Sequence, residues 1–134
     1  MGAFLLKLLV AGGIMAIIDA IWLSVVANKF YKSQLGPLLL EKPNMVAAVL
    51  FYVIFVIGVV VFAVMPAVAA GNWKLALGLG ALLGLVTYAT YDLTNLATLK
   101  DFPVKVVIVD LIWGVVLTGT VATLTYVVVD RWFS

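Results

Sequence analysis

The chain of 134 residues is 66% hydrophobic and only 10% charged, with a mean hydropathy of +1.29. This composition excludes a soluble domain and is typical of an integral membrane protein with little chain outside the lipid bilayer. Its 8 Lys and Arg residues are scattered singly, so the net charge of +2 does not indicate a nucleic-acid partner. The absence of Cys and His excludes haem or zinc sites built from those side chains, together with Ser-His and Cys-His nucleophile pairs.

A helix that crosses the bilayer needs about 20 apolar residues. Four such runs occupy most of the chain, at about 3–27, 45–65, 75–98 and 104–129. We therefore predict an all-α fold with a single four-span transmembrane domain, residues 1–134, built as a polytopic bundle of four antiparallel helices.

The connection after the first span, residues 28–44, combines charged with apolar side chains. This segment must leave the hydrocarbon core because it contains lysines, Gly36-Pro37 and Pro43. Its aromatic and leucine residues are nevertheless too apolar for a free loop. We predict an interfacial segment between helices 1 and 2, with one or two helical turns.

The second span has the most uniformly apolar composition of the four. It has no ionisable side chain except Tyr52 and is predicted to end at Pro66, before a turn at Gly71-Asn72. Its uniformly apolar composition predicts that it faces lipid more than the other spans do.

The third span carries the stretch Tyr88–Thr98, which places a carboxylate, an amide and two phenols in an apolar helix. From Gly84 onward, small or polar residues recur three or four positions apart, with Tyr91 and Asp92 as adjacent members of the series: Gly84, Tyr88, Tyr91, Asp92, Asn95 and Thr98. This spacing puts them on one helix face, which lipid would not tolerate, so the face is predicted to pack inside the protein. Gly80 and Gly84 also form a GxxxG motif, a weak signal in a glycine-rich apolar helix.

The fourth span repeats a pattern found in the first. Asp19-x-x-Trp22 and Asp110-x-x-Trp113 lie in segments that share Ile and Val at matching positions, which is explained by internal duplication or by chance similarity. The short turn before the fourth span predicts that this helix packs against the third.

The acids within the spans are predicted to lie at similar depth in one leaflet. At about 1.5 Å per residue, Asp19 and Asp92 lie about 12 Å and 9 Å before the ends of their spans, and Asp110 about 9 Å after the start of its span. Four alternating spans bring these ends to one membrane face, so the acids are expected to converge. A shared proton or cation would relieve their repulsion. Alternatively, each acid makes its own interhelical hydrogen bond or reaches the interface separately.

We therefore predict one ligand or ion pocket. Its candidate residues are the acids, the amide and the neighbouring aromatic side chains: Asp19, Trp22, Tyr88, Tyr91, Asp92, Asn95, Asp110 and Trp113. The rings would wall the pocket and offer hydrogen bonds or cation–π contacts, although Trp and Tyr also serve as interface anchors. The sequence identifies no catalytic residue, metal ligand or cofactor.

Basic residues are distributed unequally between the two predicted membrane faces. The face with the first and third connections holds Lys29, Lys32, Lys42, Lys100 and Lys105. The other face holds Lys7, Lys74, Arg131 and the amino terminus. Because cytoplasmic loops are enriched in Lys and Arg, both termini are predicted to lie outside the cytoplasm.

Four runs of residues together resemble a known family: D-A-I-W at 19–22, F-Y-K-S-Q-L-G at 30–36, Y-A-T-Y-D-L-T-N-L-A-T at 88–98 and D-L-I-W-G at 110–114. Over nearly its whole length, the chain is similar to the bacterial inner-membrane family called domain of unknown function 2177. The resemblance implies a small four-span protein of the bacterial inner membrane and supports a special role for the same polar residues, but it implies no activity.

Three classes of function are open. The first, which we favour, is binding or transport of a proton, a cation or a small cationic or amphipathic ligand, and transport by four short helices would require a homo-oligomer. The second is a membrane-embedded enzyme acting on a lipid-like substrate through Asp acid–base chemistry. The third is a structural subunit of a membrane assembly, in which the acids lock helices together.

Overall fold

The computed structural model describes residues 2–36 and 44–133, with only the backbone of Ala27. Within these ranges, six α-helices follow one another: α1 (Gly2–Trp22), α2 (Asn28–Leu35), α3 (Met45–Val59), α4 (Met65–Ala70), α5 (Trp73–Thr98) and α6 (Val104–Trp132). Two π-helical segments, Leu23–Ala27 and Val60–Val64, join α1 to α2 and α3 to α4. The predicted all-α class is confirmed.

Helical stretches that are long and apolar enough to cross a membrane number four in the described chain: Gly2–Val26, Met45–Ala70, Trp73–Thr98 and Val104–Trp132. This result confirms the predicted number of spans. Their apolar outer side chains are the surface that contacts the lipid bilayer. The antiparallel order of the four helices stays a prediction.

The second span continues past Pro66 to Ala70, further than predicted. Proline lacks the backbone N–H that an α-helix interior needs, and it usually ends or kinks the helix. Here the segment Val60–Val64 directly precedes α4, and Pro66 lies in the first turn of that helix, where its N–H is not needed. The helix ends instead at Gly71, whose φ of +64° favours glycine.

The prediction that the second span faces lipid most is wrong. In the described chain, 11% of the most apolar part of the first span is buried, against 22% for the second span. The difference arises because the second span buries Phe55, Val56, Val59 and Val60 within that part. In contrast, α1 contributes only Ala11 and Met15 to the core.

The most extensive helix contact joins α5 to α6 along small residues. A Cβ added to Gly80 would lie 2.7 Å from the Thr118 carbonyl oxygen, and one added to Gly84 would lie 2.6 Å from the Gly114 carbonyl carbon. Carbon atoms in ordinary contact are about 3.5–4.0 Å apart, so the close approach requires glycine. The GxxxG motif is therefore part of this helix interface.

The short helix α2 packs against the start of α6. Its apolar side chains meet a small buried cluster formed by the turn before α6 and its first residues: Phe30, Tyr31 and Leu35 against Phe102, Val106 and Val107. Helical turns predicted in this connection are present up to Leu35, and residues 37–43 lie outside the described residues. The interfacial position of the segment stays a prediction.

Candidate functional site

The two Asp-x-x-Trp motifs come together through their indole rings. Trp22, at the end of α1, and Trp113, in α6, stack with ring centroids 4.1 Å apart and ring planes 9° from parallel. Each acid precedes its Trp by almost one helical turn, so the stack brings Asp19 and Asp110 to the same region. The indole N–H of Trp113 is the side-chain donor beside the Asp19 carboxylate. The repeated motif in the sequence thus corresponds to a pairing in space.

Asp110 has a different partner, the Tyr31 hydroxyl of α2, which donates a hydrogen bond to its Oδ1 atom. The π-helical segment Leu23–Ala27 directly precedes α2 and widens the helix there, which changes the direction in which α2 presents its side chains. Burial raises the pKa of the Tyr31 phenol, and the hydrogen bond to Asp110 raises it further. Tyr31 therefore remains a protonated donor at neutral pH. The Trp22 indole N–H adjoins the same hydroxyl.

A cavity of about 420 Å³ lies beside the stacked indoles. Two carboxylates and six aromatic rings dominate its walls, which consist of Asp19, Trp22, Leu23, Tyr31, Phe51, Thr87, Tyr88, Tyr91, Asp110 and Trp113. Both Asp-x-x-Trp pairs and the two tyrosines of α5 thus border one space. Their role in holding a ligand stays a prediction.

Asp92 does not border the cavity. It is fully buried, at 0% exposure, and neither of its carboxylate oxygens has a hydrogen-bond partner in the described part of the chain. Asp110 is its electrostatic neighbour. Tyr88, one helical turn earlier on α5, interacts with Asp19, Asp92 and Asp110. The three acids therefore form a series of neighbours, with Asp19 and Asp110 at the cavity and Asp92 next to Asp110 inside the protein.

Asn95 also lies outside the cavity. Its side chain is partly exposed near the end of α5, and its backbone carbonyl accepts a hydrogen bond from the Leu99 N–H at 2.8 Å. Tyr91 borders the cavity but is 62% exposed, so it lies at the mouth. The polar face of α5 is thus divided among the cavity, the protein interior and the outer surface.

Four cavity residues were not predicted from the sequence: Leu23, Tyr31, Phe51 and Thr87. Tyr31 matters most among them because it bonds to Asp110. The run F-Y-K-S-Q-L-G at 30–36, which carries part of the family resemblance, contained that signal. The Thr87 hydroxyl bonds back to the Leu83 carbonyl at 2.9 Å, an ordinary role for threonine in a helix.

Among the residues that the structure describes, the acids of this region have no cationic partner. Within residues 2–36 and 44–133, no group of three or more Asp, Glu, His or Cys side chains is arranged to hold a metal ion. In the same ranges, neither Asp19 nor Asp92 has Lys or Arg among the side chains with which it interacts. Carboxylates and aromatic rings both attract positively charged organic groups.

The four apolar helices define a polytopic integral membrane protein. The chain belongs to the family described as predicted membrane protein, domain of unknown function 2177 (DUF2177), whose model matches residues 4–127. The resemblance inferred from the sequence motifs is confirmed. Neither a curated protein nor a solved structure matches the chain.

Proposed function

We propose that this membrane protein binds a small organic cation in the cavity between α1, α2, α3, α5 and α6. The observation that carries the proposal is the meeting of two carboxylates, Asp19 and Asp110, with the Trp22–Trp113 stack around one space of about 420 Å³. This volume lies within the range of about 300–1,000 Å³ that is typical of small-molecule sites.

The two acids favour a ligand with positive charge. A charged Asp within a membrane-spanning helix costs on the order of 3 kcal/mol on insertion scales, and such residues usually mark a functional site. The Trp113 N–H beside Asp19 and the Tyr31 O–H on Asp110 stabilise carboxylates without neutralising them. A bound cation would supply the missing positive charge.

The walls favour an organic cation over a bare metal ion. Six of the ten lining residues are aromatic, and each well-placed ring attracts a cation by about 0.5–2 kcal/mol. Leu23 and Phe51 add apolar surface, which suits a ligand with an apolar substituent. The lack of a three-ligand acidic group in the described chain points in the same direction.

We further propose a location for this site in the cell. The family resemblance supports the bacterial inner membrane, and the distribution of lysines supports termini outside the cytoplasm. In that orientation the cavity lies toward the cytoplasmic side. Transport of the ligand across the membrane would require a homo-oligomer, because four short helices rarely enclose a complete path across the bilayer.

Benzyltrimethylammonium is a suitable probe because it joins a permanent positive charge to an aromatic ring. We expect it to raise the Tm of the detergent-purified protein and to give a measurable Kd by titration calorimetry. Asp19→Asn and Asp110→Asn should each weaken binding by about tenfold, which corresponds to about 1.4 kcal/mol. Asp101→Asn is the matched control, because it removes the same charge in an exposed turn outside the cavity. Asn also accepts the φ of +61° found there.

A second control uses neopentylbenzene, the uncharged isostere of the probe. Equal affinity for the charged and uncharged molecules, or unchanged affinity in both cavity variants, would contradict the proposal. Unfolding of both variants, with no ligand effect on the wild type, would favour the structural role. A chemically altered lipid found by mass spectrometry in cells expressing the wild type, and absent with the variants, would favour a membrane-embedded enzyme.

A further inference from the structure

We propose that Asp92 and Asp110 hold one proton between them and that a cation bound at Asp110 displaces this proton. Ligand binding would then be coupled to proton release. The inference rests on the proposed cation site, and it assigns a role to the acid that does not reach the cavity.

The surroundings of Asp92 suit a carboxylic acid better than a carboxylate. The side chain is 0% exposed, and both oxygens lack a hydrogen-bond partner among the residues described. An ionised carboxylate in such a place loses its hydration without a replacement. The protonated acid carries no net charge and gains an O–H donor, for which the neighbouring Asp110 carboxylate is an acceptor.

The titratable groups near this pair are few in the part of the chain that the structure describes. Tyr88 on α5 interacts with both acids, Tyr31 on α2 donates to Asp110, and Asp19 on α1 borders the same cavity as Asp110. The second π-helical segment and α4, which also pack against α5, carry no ionisable side chain. In the described chain, no Lys or Arg is among the groups that interact with Asp92. A proton is therefore the positive charge available to this pair before a ligand arrives.

Asp110 links the buried acid to the cavity. Its carboxylate borders the cavity and already accepts the Tyr31 hydrogen bond. A proton held on Asp92 therefore leaves the negative charge on Asp110, where a ligand meets it. When a cation binds there, it stabilises the doubly ionised pair. The Asp92 O–H bond breaks, its electron pair stays on the carboxylate, and the proton passes by way of Asp110 to water at the cavity.

Benzyltrimethylammonium carries no transferable proton, so a proton released on its binding comes from the protein. Calorimetric titration at one pH, in two buffers with different ionisation enthalpies, gives the number of protons released per bound cation. We expect release approaching about one proton, and an affinity that rises by up to about tenfold per pH unit while the pair still holds its proton.

Asp92→Asn is the decisive variant because Asn has the shape of the neutral acid but has no proton to release. We expect it to fold and to bind the cation with no proton release from this pair. The control Asp101→Asn should release protons as the wild type does. Infrared difference spectra of the wild type provide a measurement that needs no variant: the carbonyl stretch of a protonated carboxylic acid should disappear on binding.

The outcomes separate the two proposals. Cation binding without proton release, or release that persists unchanged in Asp92→Asn, would overturn the coupling and leave the cation site in place. A carboxylic-acid band that is unaffected by binding would overturn the coupling as well. Failure of the wild type to bind the cation would overturn both the coupling and the proposed function.

Discussion

Replacing Gly84 with alanine should disrupt the helix contact on which the cavity depends. The cavity takes Tyr88 and Tyr91 from α5 and Asp110 and Trp113 from α6. The separation of these two helices therefore sets the distance across the cavity. A change that forces the helices apart should lower both the stability of the protein and its affinity for a cation.

The magnitude follows from the contact between Gly84 and Gly114. An added Cβ would lie 2.6 Å from the Gly114 carbonyl carbon and 2.8 Å from the Thr118 Oγ1 atom. Because carbon atoms in contact are normally about 3.5–4.0 Å apart, the helices would have to separate by about 1 Å. Overpacking costs about 1–3 kcal/mol. We expect the upper end, about 3 kcal/mol, because the nearest obstructing atoms belong to the Gly114 backbone carbonyl and cannot rotate away.

Gly78→Ala provides the matched control on the same helix. Nothing lies within 4 Å of a Cβ added there, and the position is exposed. Alanine is favoured over glycine within a helix by roughly 0.5–1 kcal/mol, so this variant should be as stable as the wild type or slightly more stable. Equilibrium unfolding in mixed micelles, followed by circular dichroism, measures both effects. Wild-type stability of Gly84→Ala, or an equal loss in both variants, would refute the close packing of α5 on α6.

Two further predictions concern the hydrogen bond to Asp110 and the orientation in the membrane. Tyr31→Phe should lower the unfolding free energy by about 1.5–3 kcal/mol, because it removes a hydrogen bond to a buried acid, whereas Tyr91→Phe at the exposed mouth should have little effect. Since the pKa of Tyr31 is raised above its ordinary value of 10.0, its contribution should be fully present below pH 10 and be lost only above that pH. Unfolding curves recorded between neutral pH and pH 11 check both statements, and an earlier loss would contradict the buried hydrogen bond. Single-cysteine variants test the orientation, because the chain contains no Cys: Lys74→Cys should react with an impermeant maleimide in intact spheroplasts, and Lys100→Cys only after permeabilisation. The reverse pattern would place the termini in the cytoplasm.

The sequence contained the information for the number of spans, and it showed that the Asp-x-x-Trp motif occurs twice. Apolar runs of sufficient length are a direct consequence of bilayer thickness. Within each motif, Asp and Trp are three positions apart on a helix, so the two side chains lie on the same helix face. The structure then stacks Trp22 on Trp113, which a repeated motif suggests but does not require.

The division of the α5 polar face was not predictable from spacing. Tyr91 and Asp92 are adjacent in the sequence, and adjacent helical residues point about 100° apart. A polar face that contains both is wide enough to meet a cavity on one side and α6 on the other. Which residue turns inward depends on the rotation of α5, and the rotation is set by the Gly84–Gly114 contact.

The π-helical segments also limit prediction from sequence. A π-helical turn contains an extra residue, so it shifts every later side chain around the helix axis. Leu23–Ala27 precedes the helix that carries Tyr31, and Val60–Val64 precedes Pro66. Neither segment has a residue pattern that distinguishes it from an ordinary apolar helix. Tyr31 and the full length of the second span were therefore missed for the same physical reason.

We expect a cation to bind between the carboxylates of Asp19 and Asp110, beside the stacked indoles. The most direct measurement is a crystal structure with para-bromobenzyltrimethylammonium, in which anomalous scattering locates the bromine. We expect a bromine peak in the cavity, with the ammonium group facing both carboxylates, and loss of that peak in Asp110→Asn. A peak elsewhere in the protein, or an empty cavity at a saturating concentration of the probe, would contradict this expectation.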